Sequence, residues 1–366
     1  MSGTQWFQVI ASLALQATLL LSVAWALQCR TTCPKSQTQI WNACFISLLL
    51  LVASACVFPR REWFHPWSYA TAEQIFQVAR AERATGCALI AVWAMGVAAI
   101  AARWIRQFWQ VRLFIANCPE LPKETQARLK ATALRIASPE FPASRQDGIE
   151  FREGPSALGP FCYQFHKPLI FLPSALHSGD EAELELVLRH EVMHLQTQHP
   201  LQLFTQQLAQ TAFWFHPMVW KCGRQSSLSR EFVCDDAASG DARTTARYLK
   251  TLLHQAELAA PTPNGALMLR RNQSDLLRRA RRLSREWNRV KTPRTWAPAA
   301  VCFMGLLISQ LWLPTDPLAS EAAAFSPWPS WTATVGHAFG LTLPDFEPYD
   351  SDLQWDELLE RVTSGS

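Results

Sequence analysis

The sequence predicts a polytopic membrane protein that is mostly α-helical, with about four transmembrane helices and one α+β domain facing the cytoplasm. Composition is the first reason, because 49% of the 366 residues are hydrophobic and they are concentrated in long runs. Four runs without a charged residue come close to the ~20 residues that cross a bilayer core. They are Trp6–Leu27, Ile40–Phe58, Gly86–Ala102 and Trp296–Leu313.

The distribution of charge predicts how these spans are oriented. Nine Arg and one Lys lie between Arg270 and Arg294, just before the fourth run. After Pro314 the chain has nine Asp and Glu against a single Arg. Because basic loops are retained in the cytoplasm, we expect the arginine run inside and the acidic tail outside. The four Arg of the loop Pro59–Thr85, which is expected outside, conflict mildly with this orientation.

The chain then divides into four parts. We expect a three-span membrane region at residues 1–109 and a cytoplasmic domain at residues 110–295, whose arginine-rich linker occupies 270–294. A fourth span at 296–314 leads into an acidic extracytoplasmic tail at 315–366. An arginine run beside a span favours contact with anionic lipid over nucleic acid, so we expect no direct nucleic-acid partner.

A motif typical of zinc hydrolases lies near the middle of the predicted cytoplasmic domain. Residues 190–194 read His-Glu-Val-Met-His. On a helix, the spacing of four puts His190 and His194 on one face, where both imidazoles can bind one Zn²⁺. Glu191 is then placed as the general base that takes a proton from water. The alternative is an amphipathic helix that carries two surface histidines by chance.

A catalytic zinc site needs a third protein ligand and keeps one position open for water. Glu231 and Asp235 are four residues apart and therefore share a helix face. We expect Glu231 to be the third ligand and Asp235 to accept the spare N–H of a ligating histidine. Taken alone, the pair is equally typical of an acidic, solvated helix start.

Local patterns predict the elements around this motif. Ser178 and Pro200 are the expected cap and stop of the helix that carries His190 and His194. Pro160–Pro173 is predicted to be a strand or hairpin, which either pairs with an extended substrate or packs under that helix. Leu201–Trp220 is predicted to be a cytoplasmic or membrane-interface helix, bent or ended at His216-Pro217, since its glutamines are costly in lipid.

With His190-Glu191-Val192-Met193-His194, Trp214-Phe215-His216-Pro217 and Glu231-Phe232-Val233-Cys234-Asp235 in this order, the chain resembles the BlaR/MecR family of integral-membrane zinc peptidases. The resemblance covers about residues 1–314. It implies a zinc endopeptidase of the gluzincin type in the bacterial cytoplasmic membrane, with His190, His194 and Glu231 as ligands and Glu191 as base. It also implies that an outside stimulus activates cleavage of a cytoplasmic transcriptional repressor, often with self-cleavage.

One departure from the family concerns the stimulus. Antibiotic-sensing members continue after the last span into a large penicillin-binding domain, whereas only Thr315–Ser366 follows here. We therefore expect no β-lactam sensing by this chain, and the tail is a candidate dock for a separate extracytoplasmic sensor. The expected partners are a protein substrate, the lipid bilayer and a second copy in a homodimer.

Two other functions are compatible with the same residues. A housekeeping membrane metalloprotease for protein quality control would have the same site without a dedicated signal. A non-catalytic membrane signalling scaffold would use the metal for structure, although structural zinc sites are usually closed by four ligands. The sequence does not identify the group that stabilises the tetrahedral oxyanion; His216 and Tyr248 are the candidates.

Overall fold

The computed structural model describes residues 3–57, 66–139, 141–142, 146, 148–155, 159–164, 167–258, 273–285, 295–315, 317 and 336–341. Its helices are α1 (Gly3–Cys29), α2 (Pro34–Val57), α3 (Ala72–Asn117), α4 (Lys123–Ile136), α5 (Ser174–His177), α6 (Glu181–Gln196), α7 (His199–Ala212), α8 (Pro217–Ala238), α9 (Ala242–Leu258), α10 (Gln273–Arg285) and α11 (Ala297–Ile308), with a short 3₁₀ helix at Pro66–Tyr69. The strands are β1 (Glu150–Gly154), β2 (Phe161–Gln164) and β3 (Pro168–Pro173). Most of the predicted tail at 315–366 lies outside the described residues.

Among the described residues, three helices are long and apolar enough to cross a membrane: Gly3–Cys29, Pro34–Ala55 and Ala72–Asn117. They correspond to the first three predicted spans. The third is much longer than the predicted run, because its 46 residues extend for about 69 Å. Its far end reaches the sheet, where Arg152 of β1 donates to the carbonyl oxygen of Ile115 at 3.1 Å. The helix of the third candidate span therefore extends without a break to the sheet.

The helix at the position of the predicted fourth span is shorter than the predicted run of residues 296–314. α11 has 12 residues, which extend for about 18 Å, against a hydrocarbon core of about 30 Å. It packs against α1 and α2 in one apolar cluster. Polar side chains of α1 bind the irregular backbone after it: Gln8 and Gln16 donate to the carbonyl oxygens of Leu313 and Leu311 at 3.0 and 2.7 Å. The backbone groups that follow α11 are thus satisfied within the bundle.

The uncharged run Leu201–Trp220 forms a helical hairpin instead of one helix. α7 ends at Ala212, and α8 begins at Pro217, in agreement with the break predicted at His216-Pro217. The tip of the hairpin contacts the middle of two candidate spans. Trp93 of α3 donates to the carbonyl oxygen of Ala212 at 2.8 Å, and His216 Nε2 lies 2.9 Å from Thr18 Oγ1 of α1. The hairpin therefore enters the helix bundle, which corrects the prediction of a helix outside it.

Close contact between the two limbs of the hairpin satisfies its polar groups. Arg230 of α8 is buried and donates to Gln206 of α7 at 2.7 Å. Burial lowers the pKa of Arg230 to about 10. At Gly223 an added Cβ would lie 2.1 Å from the Gln210 amide nitrogen, so the limbs meet where α8 has no side chain. Of the four glutamines that argued against a membrane location, Gln206 and Gln210 thus face the partner limb.

The metal-motif helix α6 lies against a three-stranded sheet of order β1-β3-β2. β2 pairs antiparallel with β3, which confirms the predicted hairpin. β1 pairs parallel with β3 and was missed, because it lies in a stretch rich in Pro, Ser and Gly. The predicted cap at Ser178 was wrong: Asp180 caps α6 by accepting from the Ala182 amide at 3.0 Å, and the helix ends at Gln196.

Candidate metal centre

Helix α6 brings two imidazoles together, one turn apart. His190 is 3% exposed, and its Nε2 lies 3.3 Å from His194 Nε2. Glu231 enters from α8, with carboxylate oxygens 3.5 Å from His190 Nε2 and 3.6 Å from His194 Nε2. Ligands arranged tetrahedrally about zinc, with bonds of about 2.0–2.1 Å, lie about 3.3–3.4 Å from one another. The two Nε2 atoms match this separation, and the distance from each to one of the two Glu231 carboxylate oxygens is within 0.3 Å of it.

The outer nitrogens of the two histidines are hydrogen-bonded, and both Nε2 atoms are directed at Glu231. Tyr248 Oη lies 2.8 Å from His190 Nδ1 and donates its own proton to Asp235 at 2.8 Å. A tyrosine oxygen that donates in this way accepts from His190 Nδ1–H. On the other side, His194 Nδ1 lies 2.9 Å from Nδ1 of His199. A proton on Nδ1 of His190 fixes that ring with a bare Nε2, the form that binds zinc.

Cys234 is a second candidate for the third donor. One donor atom each from His190, His194 and Cys234 lies within 4.8 Å of the others. The thiol is fully buried and lies 3.5 Å from His199 Nδ1. Burial, with the nearby carboxylates of Glu231 and Asp235, raises the pKa of Cys234 well above its usual range. Metal ligation needs the thiolate, so these surroundings favour Glu231.

A buried arginine from the linker completes the centre. Arg279 of α10 is 2% exposed and places Nη1 2.7 Å from Glu231 Oε2. Its Nε donates to Asp235 at 2.9 Å, and its Nη2 contacts the same carboxylate. Burial alone would raise the pKa of Glu231, but Arg279 and then His190 outweigh it and hold that pKa well below its usual range. Glu231 therefore stays ionised, as a metal ligand must.

The neighbouring Arg282 is bound in the same way. It donates to both oxygens of Asp236, at 2.8 and 3.0 Å, and its guanidinium lies 4.7 Å from the centre of the Phe232 ring. The interpretation of the whole 270–294 run as a lipid-facing segment was therefore wrong for Arg279 and Arg282. Their guanidinium groups are directed into the catalytic region because α8 offers them three carboxylates.

Glu191 lies beside the two histidines and is 3% exposed. The thiol of Cys162 on β2 hydrogen-bonds its carboxylate. Burial, followed by the carboxylates of Glu191 and Glu231, raises the pKa of Cys162 well above its usual range, so the group is a neutral thiol. His190 and Glu191 also line a pocket of about 240 Å³, with its open mouth included. The other lining residues are Pro160, Val187, Tyr248, Thr251 and Leu252.

Sequence reasoning identified most, though not all, of this arrangement. The structure brings together all five predicted residues: His190, Glu191, His194, Glu231 and Asp235. Of the two candidates for oxyanion stabilisation, Tyr248 instead uses its hydroxyl on His190 and Asp235, and His216 lies at the hairpin tip beside Thr18. Arg279, His199, Cys162 and Cys234 were missed.

A buried His-Glu-x-x-His helix with a converging carboxylate, set against a bundle of apolar helices, defines a membrane metallopeptidase. A sequence model described as "BlaR1 peptidase M56" matches residues 6–283, which is more than half of the chain. The chain therefore belongs to the M56 peptidase family, in agreement with the resemblance noted from the motifs. It is also 28% identical over 83 residues to Regulatory protein BlaR1 of Bacillus licheniformis. That alignment spans 23% of this chain and 14% of the relative's length.

Proposed function

We propose that this protein is a zinc endopeptidase whose metal is held by His190, His194 and Glu231. The observation that carries the proposal is that the Nε2 atoms of His190 and His194 lie 3.3 Å apart, with Glu231 Oε2 3.5 Å from the first and Glu231 Oε1 3.6 Å from the second. A second observation supports it: Glu231 keeps 31% of its side chain exposed, whereas His190 keeps 4%. The centre is therefore exposed on the side of Glu231, and water and substrate can approach from that side.

The chemistry proposed for the site is hydrolysis of a peptide bond. A zinc ion held there supplies Lewis-acid polarisation of the scissile carbonyl and lowers the pKa of a water molecule. Glu191 accepts a proton from that water and delivers it to the leaving amine. Its location in a buried, mostly apolar setting keeps the carboxylate close to the reacting atoms and away from competing bulk water.

The proposed substrate is an extended polypeptide. β2 is an edge strand of the sheet, next to α6, and carries Cys162 against Glu191. An extended chain that pairs with the free edge of β2 would pass over the base. We propose that the physiological substrate is a cytoplasmic transcriptional repressor, the protein itself, or both, and that an external signal controls cleavage. The family membership supports this regulatory role over general quality control or a non-catalytic scaffold.

The proposed orientation places the catalytic region in the cytoplasm and the residues after α11 outside. Reporter fusions at Pro261 and Ser326 should therefore report cytoplasmic and external locations, respectively. A fusion at Thr31, in the connection between α1 and α2, is the control and should agree with Pro261. If Pro261 and Ser326 reported the same side, α11 would not cross the membrane and the four-span arrangement would be wrong.

Metal dependence tests the proposed activity. Full-length protein, purified in detergent, should contain about one zinc per chain and should cleave members of a proteome-derived peptide library. Treatment with 1,10-phenanthroline should abolish cleavage, and added Zn²⁺ should restore it, because the site has no other electrophile. Cleavage that survives removal of all metal would contradict the proposal, as would a purified protein that binds no zinc from micromolar solution.

A further inference from the structure

We propose that His199 is a positioning residue that holds His194 in its metal-binding form, and that it does so as the neutral tautomer protonated on Nε2. This inference rests on the proposed zinc site, because it requires His194 to bind metal through Nε2. Nothing in the motif predicts a third histidine here. The contact arises from the way in which α6 is joined to α7.

Gln198 joins the two helices, and it is the one non-glycine residue with a left-handed backbone conformation in the described part of the chain. Gln198 has φ 55° and ψ 36°, and it lies between the end of α6 and the first residue of α7. For a residue with a side chain, this conformation is energetically unfavourable. It separates the two helices and places His199 beside His194, with 2.9 Å between their Nδ1 atoms. The turn thus builds this contact at the expense of local backbone energy.

The chemistry of two facing imidazoles determines where the protons lie. A neutral imidazole has one N–H and one bare nitrogen. If His194 Nε2 binds a metal, its proton is on Nδ1, and that N–H points at His199. Since two N–H groups cannot face each other at 2.9 Å, His199 Nδ1 must be the acceptor. The proton of His199 is then on Nε2.

The surroundings of His199 agree with this assignment. The side chain is 3% exposed, so the contact with His194 is shielded from bulk water. The Cys234 thiol lies 3.5 Å from the same Nδ1, so a second donor converges on the nitrogen assigned as acceptor. A ligating histidine more often donates to a carboxylate or a carbonyl oxygen. Here a neutral ring takes that place, and no negative charge is added behind His194.

Three substitutions separate this role from simple packing. In His199→Asn, the amide oxygen can occupy the position of Nδ1 and still accept from His194. In His199→Asp, the acceptor becomes a carboxylate. His199→Leu fills similar space without any acceptor. Zinc affinity is measured by competition between the full-length protein and a chromophoric chelator, with Zn²⁺ alone as the probe.

We expect His199→Leu to bind zinc about 10–100-fold more weakly than the unaltered protein, since loss of such a partner typically has that effect. His199→Asn should retain affinity within about threefold and His199→Asp should match or exceed the unaltered protein, because both keep the acceptor. Equal affinities for His199→Leu and His199→Asn would overturn the proposal. Zinc that fails to bind the unaltered protein would instead refute the metal site itself.

A measurement on the unaltered protein covers the case in which the variants do not fold. Two-bond ¹⁵N–¹H correlations of ¹⁵N-histidine-labelled, zinc-loaded protein report the tautomer of each ring. We expect one non-ligating histidine with a bare Nδ1, hydrogen-bonded to the Nδ1–H of a zinc-bound ring. If every zinc-bound Nδ1–H instead donated to an oxygen, His199 would not have the proposed role.

Discussion

Replacing Glu191 with glutamine is expected to lower kcat/KM for peptide cleavage by about 10²–10⁴-fold, because proton transfer by a positioned base contributes about that factor. Zinc content should be unchanged, since Glu191 is not one of the three converging donors. Glutamine has nearly the same shape as glutamate and can still accept from the Cys162 thiol. The expected loss therefore comes from the missing base and not from repacking. Cleavage rates and metal analysis on the same preparation check both halves of the prediction.

Glu185→Gln is the matched control for Glu191→Gln. Glu185 lies on the same helix and pairs with Arg189 at 2.7 Å and Arg135 at 3.2 Å, but both arginines are largely exposed. Surface pairs of this kind contribute about 0–1 kcal/mol, so activity and zinc content should both remain normal. A Glu191→Gln enzyme that retains a tenth or more of the normal rate would show that another group is the base.

The second large effect distinguishes the two candidates for the third ligand. Glu231→Ala should lose zinc during dialysis, because two histidines alone hold the ion poorly. Cys234→Ala should retain it, since its thiol contacts His199 and lies among carboxylates that oppose thiolate formation. Metal analysis after dialysis against a weak chelator decides between them. The reverse pattern would make Cys234 the ligand.

Replacing Glu231 also removes an ion pair with Arg279, and this effect must be distinguished from loss of the metal. Arg279 would keep Asp235 as a partner but would lose its contact with Glu231. Glu231→Gln retains the size of the side chain while removing its charge, so it tests whether zinc loss follows the charge or the packing. Unfolding of the metal-free proteins, followed by tryptophan fluorescence, provides the baseline against which both variants are compared.

The proposed ligands could be identified from sequence because the helical repeat determines which side chains of one helix lie together. His190 and His194 lie one turn apart, as do Glu231 and Asp235, and any regular helix presents such pairs together. The packing of α6 against α8, which brings the two pairs together, cannot be predicted from a local pattern. Neither can His199, because its position depends on a left-handed Gln198, a conformation that glutamine rarely adopts.

Arg279 was missed for a different reason. Within a run of arginines next to a span, composition favours an orientation signal over a buried ion pair. A finer pattern was present, since Leu276, Arg279 and Leu283 have spacings of three and four and share one helix face. The structure packs Leu276 and Leu283 against Leu186 and Tyr248. The pattern that could have predicted the buried ion pair was an arginine between two core leucines. It occurs on a chain that also has three carboxylates on another helix.

The hairpin of α7 and α8 makes the catalytic centre sensitive to tilt of the membrane helices. Its tip at His216 contacts α1, and Glu231 lies 15 residues further along the straight course of α8, about 22 Å away. A tilt of α8 by only about 5° about that tip would displace Glu231 by about 2 Å, roughly the length of a zinc–oxygen bond. No loop separates the contact with the bundle from Glu231, because α8 is one continuous helix. If Glu231 binds the metal as proposed, angular motion of α8 in the bilayer would change the coordination distance.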